Sequence, residues 1–325
     1  MVAVVRVHAV GGPEGLSLDD VALPPPARGE VQVQHTAIGV NFLDCHQRRG
    51  LAPLPSLPHG LGSEGVGQVA ALGDGVRGLQ VGDRVAYAGL VAPGSYSRAR
   101  NVPAWRLVPV PASLGDVAVA GLLLKGLVAE FLTRRVFKVG PGHRVLVHAA
   151  AGGVGTLLCQ WLRHVGAQVH GIVSTEAKAE AARQAGCHQV IVRGQQDVVD
   201  VVMRTTQGKG LDVVYDGVGR DTLRESLRCL RRRGLLVAFG HASGQPAPVE
   251  LAELQAGSWF LTRPTLPDYT ATRDELLRAS EVLFKLVLGG VLQPRLDGTW
   301  PLAAAAEAHR RLESRQSTGS LVLLP

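Results

Sequence analysis

"GHRVLVHAAAGGVGTLLCQWLRHVG", residues 142–166, reads as a strand, a turn almost without side chains, and a helix. Residues 145–149 are apolar nearly throughout, as a parallel strand covered on both faces requires. From Val154 onward the apolar positions are Val154, Leu157, Leu158, Trp161, Leu162 and Val165, which is helical spacing with one face turned inward. Between them lies AAGGVG, residues 150–155. Set against G-x-G-x-x-G, Ala150 stands at the first glycine, and Gly152 and Gly155 hold the other two. At Gly152 a ligand can approach the backbone, and at Gly155 a helix can pack close to the strand. The free N–H groups at the start of the helix then face an anion that the helix dipole also favours. A dinucleotide pyrophosphate meets that description.

The surroundings supply the context this motif needs. "RVLVHA", "QVHGIV", "HQVIV", "LDVVYDG", "GLLVAFG" and "SWFLTR" recur between helical patterns, the signature of a doubly wound parallel sheet. The first third differs. Short alternations ("EVQVQHTAIGV", "GVGQVAAL", "DRVAYA") separated by turns at Asp74-Gly75 and Gly82-Asp83 predict a β-rich, barrel-like domain. After residue 265 a helical stretch ("RDELLRASEVLFKLVLGG") leads to the strand-like "GSLVLLP". Two domains follow from 325 residues.

The end of the second strand selects the cofactor. NAD-binding units usually place an acidic residue there, about 20 residues past the glycines. Here "GIVSTEAK" puts Ser174 at that point and Lys178 one helical turn later. A lysine suits a 2′-phosphate as a point charge, and Arg193 is placed to pair with it or stack on adenine. Glu176 argues the other way, although it also fits a first-turn acid favoured by the helix dipole. The balance favours NADPH over NADH.

Composition narrows the classes. Four scattered cysteines (Cys45, Cys159, Cys187, Cys229) include no C-x-x-C pair, which argues against a disulfide scaffold or a thiolate zinc cage and for a cytoplasmic setting. No apolar run reaches membrane-spanning length. Net charge is +7, with arginine supplying most of the excess, so polyanions are attracted. The densest cluster, "RCLRRRG" at 228–234, is expected at a helix end, where cations complement the dipole.

The residues resemble the quinone oxidoreductase (zeta-crystallin-like) branch of the medium-chain dehydrogenase/reductases. Residues 142–163 look like that branch's signature, with Leu146, Ala150, Ala151, Gly152, Gly153, Gly155, Gln160 and Arg163 at matching places. "AIGVNFLDCHQRRG" (37–50), "VVYDGVGRDTL", "FGHASG", "LTRPTL" and "LESRQSTGSLVLLP" extend the likeness to essentially the whole chain. It implies an α/β protein: a GroES-like β-rich catalytic domain (1–124, completed by 265–325) plus a Rossmann doubly wound parallel sheet (125–264), with NADPH in a cleft between them. Asn41, Phe42 and His46 would border the nicotinamide. Gly152 and Gly153 would face the pyrophosphate, with Gly155 of the same cofactor-binding turn behind them, and Ser174, Thr175, Lys178 and Arg193 would hold the adenosine phosphate. Gly217, Phe239, Gly240, His241, Arg263, Thr265 and Arg315 would complete the groove. A homodimer is implied on the same basis.

Zinc-bearing relatives place metal ligands where this chain has Asn41, Ser63 and a leucine of "GLLLKG", so no catalytic zinc is expected. Without a Lewis acid, the acceptor must take hydride readily, as a quinone or activated enone does. His46 is the candidate proton donor, and a merely structural histidine is the competing view. His46, Ala52, Val128 and Glu130 depart from the residues common in the branch, which weakens aromatic stacking on a flat quinone. The nearest alternative is an NADPH-dependent 2-alkenal or enoyl reductase. Alternatives of another class are an RNA-binding protein, favoured by charge but lacking an aromatic platform, and a crystallin-like structural protein.

Overall fold

The computed structural model describes residues 1–89 and 92–325. The chain divides into two compact units, one of residues 1–127, 269–284 and 294–325, the other of residues 128–268 and 285–293.

The first unit is β-rich. A seven-stranded sheet is built around the long strand Glu30–Val40, which pairs with Gly65–Leu72, Ala99–Pro103 and Ser320–Leu324, all antiparallel. Val2–Val7, Leu16–Val21 and His59–Gly60 form a separate three-stranded sheet. Successive strand side chains point to opposite faces, and the central strand uses this to serve two cores. Val31 and Val33 pack with Val69, Val85, Val102 and Leu107. Ile38 and Val40, of the other parity, pack with Val5, Leu61, Tyr96, Leu321 and Leu323. Residues 37–40 are therefore buried on both faces, and the strand runs straight into the short helix Phe42–Arg48.

The second unit is a six-stranded parallel sheet. In spatial order its strands are Gln189–Val192, Gln168–Val173, Arg144–Val147, Leu211–Asp216, Leu230–Ala238 and Phe260–Thr262, which is 3-2-1-4-5-6 in chain order. The order reverses at Arg144–Val147, the switch point where open α/β sheets bind ligands. Five strands send side chains into a shared core, among them Ile191, Ile172, Leu146, Val214 and Leu236. The helix Val198–Thr205 covers them with Val198, Val201 and Val202, at i, i+3 and i+4. Its start is capped by Asp197, whose side chain accepts the Asp200 N–H at 2.9 Å.

Two local expectations need correction. The strand expected over 145–149 ends at Val147, because Ala149 turns into the left-handed region (φ 52°) to begin the glycine corner. The arginines of 231–233 do not lie at a helix end; the helix stops at Arg228, and Arg231, Arg232 and Arg233 belong to the strand Leu230–Ala238. Their role is not to complement a dipole: Arg231 pairs with Asp212 at 2.6 Å. Among the described residues no helix is long and apolar enough to cross a membrane.

Candidate cofactor and active site

The helix Gly153–His164 begins where the sequence places it, with Gly152 as its extended N-cap. A Cβ on Gly155 would lie 2.2 Å from the Ala149 carbonyl oxygen, a backbone atom that cannot step aside. A Cβ on Gly152 would meet the same oxygen at 3.1 Å, a tight but lesser contact. The two glycines thus do different work: Gly155 lets helix and strand close together, and Gly152 keeps the corner bare. Leu157, Leu158, Trp161 and Leu162 bury the inner face of the helix, whereas Val154 and Val165 are half-buried.

All six strands run the same way, so the residues at their C-terminal ends share one edge of the sheet. Ser174 and Thr175 follow Gln168–Val173 and are exposed; Lys178 ends the short 3-10 turn Glu176–Lys178. Arg193 directly follows Gln189–Val192, but its guanidinium is already engaged, with Glu225 at 3.2 Å and the Asp221 carbonyl at 2.7 Å. At the other end of the row, Gly217, Phe239 and Gly240 pack closely. A Cβ on Gly217 would stand 2.8 Å from the Phe239 ring, and one on Gly240 would stand 2.8 Å from the Gly217 carbonyl oxygen. Arg263 donates to His241 Nδ1 at 3.0 Å and to Gln245 at 3.1 Å. Arginine only donates, so that ring nitrogen accepts and the imidazole is neutral. Burial, with the Arg263 charge, lowers the His241 pKa accordingly. Thr265 donates to Asp268 at 3.0 Å.

Sequence reasoning missed Asp216, the buried residue beneath this row. Its Oδ1 accepts the N–H groups of Val218 (2.8 Å) and Gly219 (3.0 Å), and its Oδ2 accepts the Ser226 hydroxyl (2.8 Å). Ser226 in turn meets His148 Nε2 at 2.9 Å. An aspartate two and three residues ahead of the amides it holds is an Asx turn, and "DGVG" carries that signal. The carboxylate fixes the glycine loop 217–219 as a bare surface.

The remaining expected residues belong to the first unit. Asn41 caps the helix Phe42–Arg48 in a capping box with Asp44, whose Oδ2 accepts the Asn41 N–H at 2.8 Å. Phe42 and His46 stand one turn apart, their rings 6.5 Å between centroids, and His46 is buried. Arg315 is exposed, in the left-handed region (φ 59°) just past the helix Ala305–Glu313. The sequence offered Asp44 and Glu64 no carboxylate partner. In the fold they flank Asn41 from two sides, Glu64 accepting its side-chain N–H at 2.7 Å. Asp44 also accepts the Tyr96 hydroxyl, which contacts His309 Nε2, both at 3.0 Å. Complete burial pushes the Asp44 carboxyl up to about 7, against the pull of its hydrogen bonds. Burial likewise drives His309 down to about 3.

Of the residues that depart from the usual pattern, Glu130 is accounted for. It is buried in its own ion-pair cluster with Arg134 (3.1 Å) and Arg135 (2.7 Å).

Residues 27–112 match the family model for the alcohol dehydrogenase GroES-like domain, and residues 153–270 that for zinc-binding dehydrogenases. The chain is 44% identical to quinone oxidoreductase 1 of Escherichia coli, covering 99% of each chain, and 46% identical to the 2-haloacrylate reductase of a Burkholderia species, covering 100% of this chain and 99% of that one. A solved structure of the E. coli quinone oxidoreductase complexed with NADPH superposes with a TM-score of 0.97 over 99% of this chain and 100% of that one. The fold is the α/β architecture of a GroES-like domain joined to a Rossmann sheet. The chain belongs to the quinone oxidoreductase family of the medium-chain dehydrogenase/reductases.

The second family model's description raises zinc, and the donor set does not fit it. Zinc takes Cys, His or carboxylate ligands around an open position. Asn41 is committed to Glu64, and Ser63 offers only a hydroxyl. Among the described residues no three His, Cys, Asp or Glu side chains converge.

Proposed function

We propose that this protein reduces quinones with NADPH, and that the residues above divide the cofactor between them. When bound, NADPH supplies the hydride; the chain's part is to hold, orient and exclude water. The bare start of the helix Gly153–His164, with Gly152 and Gly153, takes the pyrophosphate, and Gly155 lets that helix start lie close to the strand. Ser174, Thr175, Lys178 and Arg193 take the adenosine phosphate. The surface made by Gly217, Phe239, Gly240, His241, Arg263 and Thr265 takes the stretch between, because its close packing leaves backbone, not side chain, to meet the ligand. Asn41, Phe42 and His46 serve the nicotinamide end, with His46 as the proton donor to the reduced acceptor, and Arg315 completes the groove.

The observation that carries this reading is the helix start at the sheet's switch point with no side chain in front of it. A second reading, an enoyl-type reductase, is favoured by the full-length likeness to 2-haloacrylate reductase. Both acceptors are electron-poor conjugated carbonyl compounds, so a shared groove suits either. Steady-state kinetics with NADPH on 1,4-naphthoquinone, 2-chloroacrylate and an α,β-unsaturated aldehyde separate them. The first reading expects the highest kcat/KM on the quinone; a higher value on the chloroacrylate or the unsaturated aldehyde installs the second. No binding of NADPH sinks both.

A cytoplasmic homodimer completes the proposal. Four free cysteines support the compartment, and the edge strand Phe260–Thr262, with Phe260 exposed, supports pairing with a second copy.

A further inference from the structure

Asn41 is gripped by two carboxylates, and they do different things. Asp44 holds its backbone N–H; Glu64 holds its side chain. We infer that Glu64 is a positioning residue for cofactor binding: its buried carboxylate fixes the Asn41 amide, with Lys125 as its counter-charge. The inference rests on Asn41 being a cofactor contact.

Glu64 is 1% exposed. Its Oε1 accepts Asn41 Nδ2 at 2.7 Å and Lys125 Nζ at 3.2 Å, while Oε2 accepts the Leu124 N–H at 3.1 Å. A carboxylate only accepts, so the amide nitrogen of Asn41 must face it, and the amide cannot flip without placing oxygen against oxygen. The space for this carboxylate is made on purpose by backbone: a Cβ on Gly39 would lie 2.1 Å from Glu64 Oε1 and 2.4 Å from the Ala120 carbonyl oxygen. Residues 39, 41, 64, 124 and 125 come from a strand end, a helix cap, a loop and the helix Asp116–Phe131, and Glu64 is the point where they meet.

Packing alone would not select this arrangement. Two charges taken out of water lose hydration that their attraction only partly returns, and an apolar pair of similar volume is commonly as stable or more so. What an apolar pair cannot do is choose an amide orientation. The ion pair is therefore explained by what it does to Asn41.

The test uses the whole chain and reads NADPH affinity separately from turnover. Glu64→Gln alone leaves Lys125 buried without its counter-charge, so the informative variant is Glu64→Gln/Lys125→Met, which removes both charges and keeps volume. It is expected to melt near the parent temperature. Its KM for NADPH should rise about tenfold, the scale of a hydrogen bond to a charged group, with kcat and the acceptor KM little changed. Asn41→Ala should raise the same KM, and adding it to the double variant should cost no more. A folded double variant with parental NADPH affinity, beside a weakened Asn41→Ala, overturns the inference and leaves the cofactor reading standing. A further tenfold loss in the triple variant overturns it too. Parental affinity in Asn41→Ala overturns the reading of Asn41 and this inference with it.

Discussion

The two units present their candidate ligand-binding residues in opposite ways. In the parallel-sheet unit the candidate surface is backbone, left bare because Gly152, Gly217 and Gly240 carry no side chain where neighbours stand within about van der Waals reach. In the β-rich unit it is side chain, held by other side chains: Asn41 by Asp44 and Glu64, and these by Tyr96 and Lys125. A surface of the first kind tolerates added atoms poorly, and least of all at Gly155 behind it. One of the second kind tolerates shape changes but not a lost charge or proton, because each buried polar group depends on its partner.

The largest expected effect tests the parallel-sheet unit. Gly155→Ala puts a methyl 2.2 Å from the Ala149 carbonyl oxygen, so strand and helix must part. Strain of this kind costs about 1–3 kcal/mol or more, and NADPH binding should be lost with it. Thermal melting and a fluorescence titration with NADPH measure both, and Gly152→Ala, with its 3.1 Å contact, should keep the fold and lose only part of the affinity. Equal behaviour of the two glycine variants would erase the division of labour between them.

A smaller effect concerns cofactor choice. Lys178→Ala removes a point charge beside the strand end that carries Ser174, and the KM for NADPH should rise roughly five- to tenfold while that for NADH holds. Parallel changes for both cofactors would mean that Lys178 supports the turn and not the 2′-phosphate.

A further effect is a slope of stability with pH. The Asp44 carboxyl is raised in the folded protein from 3.8 to about 7 by burial. The folded state then holds the proton more tightly than the unfolded chain does. The stability this contributes is complete below about pH 4 and is lost as pH climbs to about 7. His35 and His309, lowered by burial to about 4 and about 3, push the other way over part of that range, since they must charge as pH falls. The measurement is therefore the difference in melting temperature between parent and Asp44→Asn. That difference should decline from pH 4 to 7, and a flat or rising one contradicts a buried, protonated Asp44.

The same contrast explains what could be read in advance. The strand, glycine corner and helix of residues 142–166 lie within one another's reach along the chain, so periodicity and the absence of side chains announced them, apart from the early end of the strand at Val147. The arginines of 231–233 misled because charge was read as a helix end, whereas the strand Leu230–Ala238 starts beside them and Asp212, nineteen residues away, takes up Arg231. Asp216 was legible in principle through its Asx turn.

By itself the sequence determined the parallel sheet and its glycine corner, because local spacing decides which residues share a face and where a chain can turn. Only the tertiary structure decided that Glu64 and Lys125 meet at Asn41, and that a hydroxyl joins Asp44 to His309. Those contacts join residues up to 213 positions apart, as between Tyr96 and His309, and depend on burial, which sets both the strength of a charge and the side of its proton equilibrium.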